Sequence, residues 1–196
     1  MSAESYCVLG VDPAAAGATG FGIVEREGGR CRMLRLGALR PSKTTADGDL
    51  HLCRIHALLS DLIREFQPRA VALESVFTAL NVRAALRLAE VRGVVLLAAA
   101  QAGIAAFSYS PREVKATVAG YGQAGKEQVQ AMVRSLLSMT ETPEPADASD
   151  ALAIALCHIQ VAEAKERLGA SLISARGAGT ARRRNSKPSS RISSVR

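Results

Sequence analysis

At 196 residues the chain is long enough for one domain with a buried core and some length to spare. Its 48% apolar and aromatic content, beside 22% charged residues, excludes a chain that is disordered or fibrous throughout. The net charge of +7 belongs to one end: residues 176–196 carry seven basic groups and no acid, which leaves 18 basic against 18 acidic groups in residues 1–175.

A neutral body with a basic end predicts a folded domain over residues 1–170 and a disordered C-terminal tail over 171–196. Such a tail is able to displace counterions from phosphate, although solubility alone is a simpler use for it. The cysteines Cys7, Cys31, Cys53 and Cys157 have no C-x-x-C spacing, and no basic-then-apolar leader precedes Asp12. Reduced thiols in the cytoplasm are expected. The least polar window, Gly93 to Pro111, is interrupted by Gln101, Gly103, Ser108 and Tyr109, so no bilayer span is expected.

In chain order, Tyr6 to Val11 reads as a buried strand that ends at Asp12, because Pro13 keeps a helix from including that residue. Thr19 to Glu25 and Cys31 to Leu39 read as two more strands, joined through Gly28-Gly29, and the three form an antiparallel meander. From Asp49 to Phe66, Leu52, Ile55, Leu58, Leu59, Leu62, Ile63 and Phe66 recur at helical steps, and Pro68 ends the run. Ala70 to Leu73 is a further buried strand, ending at Glu74. A helix from Leu80 to Ala102, a strand from Ile104 to Tyr109, and helices from Pro111, from Lys126 and from Pro145 to about Leu168 complete the pattern. The predicted class is α/β, a mixed sheet flanked by helices.

Two strands that end in acids are unusual, since a carboxylate is costly beside a core. Asp12 and Glu74 are such a pair, and strand ends in one sheet converge on one edge. Asp147 and Asp150, three apart at the start of a mostly apolar helix, form a second pair on one face. Taken singly, each acid has an ordinary explanation as a helix cap, a first-turn residue or a turn residue. Taken together, four acids on apolar elements repel one another unless cations lie between them, and hard divalent ions take such oxygen ligands. Two such ions roughly 4 Å apart activate water and stabilise the leaving oxygen of a phosphodiester.

Gly10-Val11-Asp12-Pro13 with Thr19-Gly20-Phe21-Gly22, Ala72-Leu73-Glu74-Ser75-Val76-Phe77, Val114-Lys115 with Thr117 to Gly122, Lys126, and Asp147-Ala148-Ser149-Asp150-Ala151-Leu152-Ala153 resemble the RuvC family of Holliday-junction resolvases. The likeness runs over about residues 5 to 160, and its specificity lies in the combination and order of the motifs. It implies a ribonuclease H-like fold, a homodimer, and magnesium-dependent paired nicking of four-way junctions during recombination and repair. Residue by residue, it implies catalytic and metal-holding roles for Asp12, Glu74, Asp147 and Asp150, with two Mg2+ per site and Mn2+ as a substitute. It further implies DNA contacts by Lys115 and Lys126, base stacking by Phe77, and partnership with the branch-migration proteins RuvA and RuvB. The chain departs from the family's usual Asp-Pro-Gly by having Ala14 after Asp12-Pro13.

Charge placement agrees with a nucleic-acid substrate. Residues 81–134 carry a net +4 and residues 135–175 a net −4, which puts phosphate-binding groups beside an acidic site. His51, His56 and His158 have no metal-ligand spacing and read as structural. Other readings are a ribonuclease H-like nuclease for non-junction nucleic acid, a kinase-like nucleotide binder, and an architectural DNA binder. The kinase-like reading lacks a second glycine-rich phosphate loop, and the architectural one gives no reason for the four carboxylates.

Overall fold

The computed structural model describes residues 5–41, 48–75 and 82–182. Two compact units divide the chain, Met1–Gln160 and Val161–Arg196. Within the first, a five-stranded sheet has the order β3-β2-β1-β4-β5, built from β1 (Tyr6–Asp12), β2 (Thr19–Glu27), β3 (Arg30–Leu39), β4 (Ala70–Glu74) and β5 (Ala105–Tyr109). The helices are α1 (Gly48–Phe66), α2 (Val82–Gln101), α3 (Pro111–Ala119), α4 (Lys126–Leu136) and α5 (Ala146–Arg182). The last begins in the first unit, and helical backbone in the second continues to Arg182, past the expected end near Leu168.

β1 to β3 form the antiparallel meander, and β1, β4 and β5 run parallel, giving the mixed ribonuclease H-like sheet that was expected. Gly28 (φ 55) and Gly29 (φ 82) form the two-residue β2–β3 turn, whose paired positive φ values only glycine adopts freely.

Strand alternation decides what each sheet face carries. Leu9 and Val11 of β1, Ile23 of β2, and Val71 and Leu73 of β4 join Ile55, Leu59 and Leu62 of α1 and Val91 and Val95 of α2 in one core. Each of these large side chains, fully buried, contributes roughly 1.5–3 kcal/mol, and a one-residue slip of a strand would turn its core residues to the opposite face, so the register is strongly determined. The intervening residues therefore belong to the other face, where α5 lies. Gly10 of β1 and Gly20 and Gly22 of β2 meet α5 so closely that an added Cβ would stand 2.1 Å from the Ala151 carbonyl oxygen, 2.0 Å from that of Asp147 and 2.7 Å from Leu152 Cδ2. Ala148, Ala151 and Ala155, all fully buried, give the helix a matching small-residue side.

His158 belongs to this packing. Its Nε2 lies 2.9 Å from Tyr6 Oη and its Nδ1 2.7 Å from Tyr109 Oη, so one ring nitrogen donates and the other accepts. The role is structural, as expected. All four cysteines are free thiols, and burial pushes Cys7 and Cys157 up to about 11, which keeps them protonated and unreactive. Among the described residues no helix is long and apolar enough to cross a membrane.

Candidate active site

Asp12 is the last residue of β1 and Glu74 the last of β4. The parallel register pairs Gly10 with Ala72 and Val11 with Leu73, so the two acids come level at neighbouring strand ends. Both share the parity of Gly10 and Ala72, which places them on the α5 side of the sheet. Asp147 lies in the first turn of α5, with its carbonyl resting on Gly20, and Asp150 follows one turn later.

Two further helices close the site. Ser110 caps α3 through a reciprocal box with Glu113, and Gly120 ends that helix in the left-handed conformation at φ 77. The loop then turns into α4, where the Gly125 amide donates to Gln128 Oε1 at 2.9 Å and Lys126 opens the helix. Val114 and Val118 of α3 and Val129 and Val133 of α4 are buried. Val114 and Val129 meet Ala153 and Ile154 of α5 in the wall of a cleft of about 230 Å³.

That cleft is lined by Asp12, Glu74, Asp150, Lys115 and Lys126, so five residues singled out in the sequence, from five separate elements, come together. Asp147 stands beside it, within electrostatic reach of Asp12. Phe77 lies outside the described residues. Ala14 is not among the residues with positive φ, so the loop after Asp12 does not require the family's glycine there.

The electrostatics are those of crowded carboxylates. Burial first, then the charges of Glu74, Asp150 and Asp147, push the Asp12 carboxyl up to about 7, and Lys126 draws it back in part. Glu74 is raised by burial and by Asp150 and drawn down by Lys115. Lys126 Nζ donates to Asp150 Oδ2 at 2.8 Å, and this bond holds the ammonium above its usual range. A lysine at a helix start gains nothing from the helix dipole, so its placement is explained by this carboxylate partner.

Among the described residues no three His, Cys, Asp or Glu side chains stand in ready-made metal-ligand geometry. The donor set nevertheless suits a hard divalent cation. It is all carboxylate oxygen, and burial together with the repulsion among these acids raises Asp12 even with a lysine ammonium close by.

Two contributions to the site were given no positioning role from the sequence. The first is the glycine track under α5. The second is Arg92 of α2, which donates from Nη1 to the Glu74 main-chain carbonyl at 2.9 Å and from Nη2 to Ser108 Oγ at 2.7 Å. An arginine between Val91 and Val94 on a largely apolar helix was the available signal.

The family described as Crossover junction endodeoxyribonuclease RuvC matches residues 8–158. A crossover junction endodeoxyribonuclease RuvC from Chloroflexus aggregans is 44% identical over 163 residues, covering 83% of this chain and 98% of the relative. The Thermus thermophilus RuvC structure superimposes with a TM-score of 0.73 at 36% identity, covering 81% of this chain and 96% of that one. The same protein in complex with Holliday junction substrate gives a TM-score of 0.72 at 34% identity, covering 80% and 95%.

Proposed function

The chain belongs to the RuvC family of crossover junction endodeoxyribonucleases, and we propose that it resolves four-way DNA junctions by paired nicks that depend on a divalent metal, magnesium in the first place. The observation that carries the reading is the cleft, which gathers Asp12, Glu74, Asp150, Lys115 and Lys126 at one edge of the sheet. Holliday junction substrate is bound by the Thermus thermophilus relative, which supports the same substrate here.

Asp12, Glu74, Asp147 and Asp150 would hold the metal. Bound there, it would supply an activated water and charge stabilisation at the leaving oxygen. The protein's own part is to fix the carboxylates before substrate arrives. β1 and β4 set Asp12 and Glu74 level, and the glycine track sets α5 with its two aspartates against them. Lys115 beside Glu74 and Lys126 beside Asp150 bring two ammonium groups to the same opening, where a phosphodiester would meet them. Phe77, three residues past Glu74, is kept in the proposal as a base-stacking residue on the strength of the sequence likeness.

Cutting two related strands calls for two sites related by symmetry, and the simplest arrangement is a two-fold homodimer. α2 supports this, since Val82, Leu86 and Leu97 on it are 76%, 61% and 51% exposed and offer an apolar face to a second copy. Association with RuvA and RuvB and residence in the cytoplasm are extended to this chain from family membership. The basic residues in 171–196 are assigned to general attraction for phosphate.

A labelled four-way junction incubated with the protein and Mg2+ should yield two symmetric nicks, with linear duplex intact and no cutting in EDTA. Equal attack on linear duplex would favour a general nuclease. Mixing wild-type with Glu74→Gln chains should give heterodimers that nick one strand only, and paired cuts from a monomer would end the two-fold reading.

The two lysines have their own test. Lys115→Ala and Lys126→Ala should each weaken junction binding and reduce the slope of log affinity against log salt by about one. An unchanged slope would remove that lysine from the phosphate contacts.

A further inference from the structure

Arg92 lies on α2 next to the buried Val91, yet both of its described hydrogen bonds leave the helix for the sheet. Its acceptors, the Glu74 carbonyl and the Ser108 hydroxyl, sit at the C-terminal ends of β4 and β5. There Leu73 pairs with Ser108 and Glu74 with Tyr109, and the Ser75 amide donates to the Tyr109 carbonyl at 2.8 Å. The main chain at Glu74 is thus held from α2 by Arg92, at the point where β4 ends.

The contact is mechanical in character. The cation that draws the Glu74 carboxyl down is Lys115, whereas Arg92 grips the main chain of the same residue. A guanidinium suits the task because two of its donors are fixed in one plane and reach two acceptors at once, which a single ammonium on a flexible stem does poorly.

We propose that Arg92 is a positioning residue for the metal site: by fixing the backbone of Glu74 it sets where that carboxylate meets Asp12 and Asp150. The inference rests on the reading of Glu74 as a metal-holding acid. Groups that orient a metal ligand from behind commonly govern affinity by about ten- to a hundredfold, and a loss in that range is expected here.

The test uses Mn2+ as the probe, titrated by electron paramagnetic resonance into full-length protein without DNA. Wild type, Arg92→Met, Arg92→Lys, Ser108→Ala and Glu74→Gln are compared, with melting curves and junction binding in EDTA measured beside them. Arg92→Met should need about tenfold more Mn2+ or greater for half-saturation, while junction binding in EDTA stays within about twofold of wild type. Arg92→Lys should recover part of the affinity, and Ser108→Ala, which keeps the bond to Glu74, should lose less.

Arg92→Met that binds Mn2+ like wild type, even if it melts earlier, would reduce the arginine to a fold clamp and overturn the proposal. Loss of junction binding in EDTA with normal Mn2+ affinity would also overturn it, in favour of a DNA contact. Should Arg92→Met fail to fold, Arg92→Lys and Ser108→Ala decide in the same way, and unchanged Mn2+ affinity in both counts against it. Glu74→Gln separates the premise from the inference, because wild-type Mn2+ binding by that variant would sink the role of Glu74 itself.

Discussion

Asp12→Asn is expected to abolish cutting and, at the same time, to raise the melting temperature of the metal-free protein. The two effects have one cause. Burial and three neighbouring carboxylates push Asp12 from 3.8 to about 7, so the folded protein binds this proton more tightly than the unfolded chain does. A group raised in this way costs stability as pH climbs from about 4 through 7, and the cost is complete above 7. The shift corresponds to the order of 4 kcal/mol. Asparagine keeps the shape and removes the charge, so the variant should gain part of that amount, less whatever its buried amide loses in hydrogen bonding. For a protein of this size each kcal/mol is worth about 2–4 °C. Melting curves in EDTA should therefore show the variant several degrees above wild type at pH 8 and level with it near pH 4. Adding Mg2+ should stabilise wild type far more than the variant. A metal-free wild type that outlasts Asp12→Asn at pH 8 would mean that the acidic cluster is not under the strain described.

The same cluster shows how far the amino-acid sequence could be read. Asp12 and Glu74 were legible because strand ends rarely carry acids after apolar runs, and the 147/150 pair was legible because it opens an apolar helix. The meander and the mixed sheet followed from periodicity, turn glycines and order along the chain, whereas Lys115 and Lys126 were singled out only through the family resemblance. What stayed hidden depends on partners distant in the chain. Lys126 pairs with Asp150, 24 residues away, and Arg92 grips a main-chain carbonyl 18 residues earlier, which leaves no side-chain pattern to detect. On α2, Leu97 is half exposed while Val91 and Val95 are buried, a division between faces that the run of apolar residues does not by itself display. Gly10, Gly20 and Gly22 stood inside recognised motifs, but a glycine in a strand does not announce which backbone crosses it.

That crossing carries the second large effect, which Gly20→Ala should reveal. A Cβ at residue 20 would lie 2.0 Å from the Asp147 carbonyl oxygen and 2.4 Å from its carbon, both main-chain atoms of the first turn of α5. Ordinary contacts need more than about 3 Å, so the turn must retreat by roughly 1 Å or the strand must bend. Either response moves Asp147 and Asp150 away from Asp12 and Glu74. The cost in stability should be about 1–3 kcal/mol, typical of an overpacked core. The cost in rate should be larger, since a displacement of about 1 Å in a catalytic constellation is worth roughly a hundredfold. Gly17→Ala is the matched control, because its added Cβ would meet only Ala14 Cβ, at an ordinary 3.6 Å. Single-turnover cutting of a labelled junction at saturating protein should fall about a hundredfold for Gly20→Ala and stay near wild type for Gly17→Ala, with junction binding in EDTA retained by both. Gly10→Ala, whose Cβ would stand 2.1 Å from the Ala151 carbonyl oxygen, should act on the same helix one turn further along. Wild-type cutting by Gly20→Ala would show that α5 can shift without carrying its aspartates out of the site, and the close approach of helix and sheet would then serve packing alone.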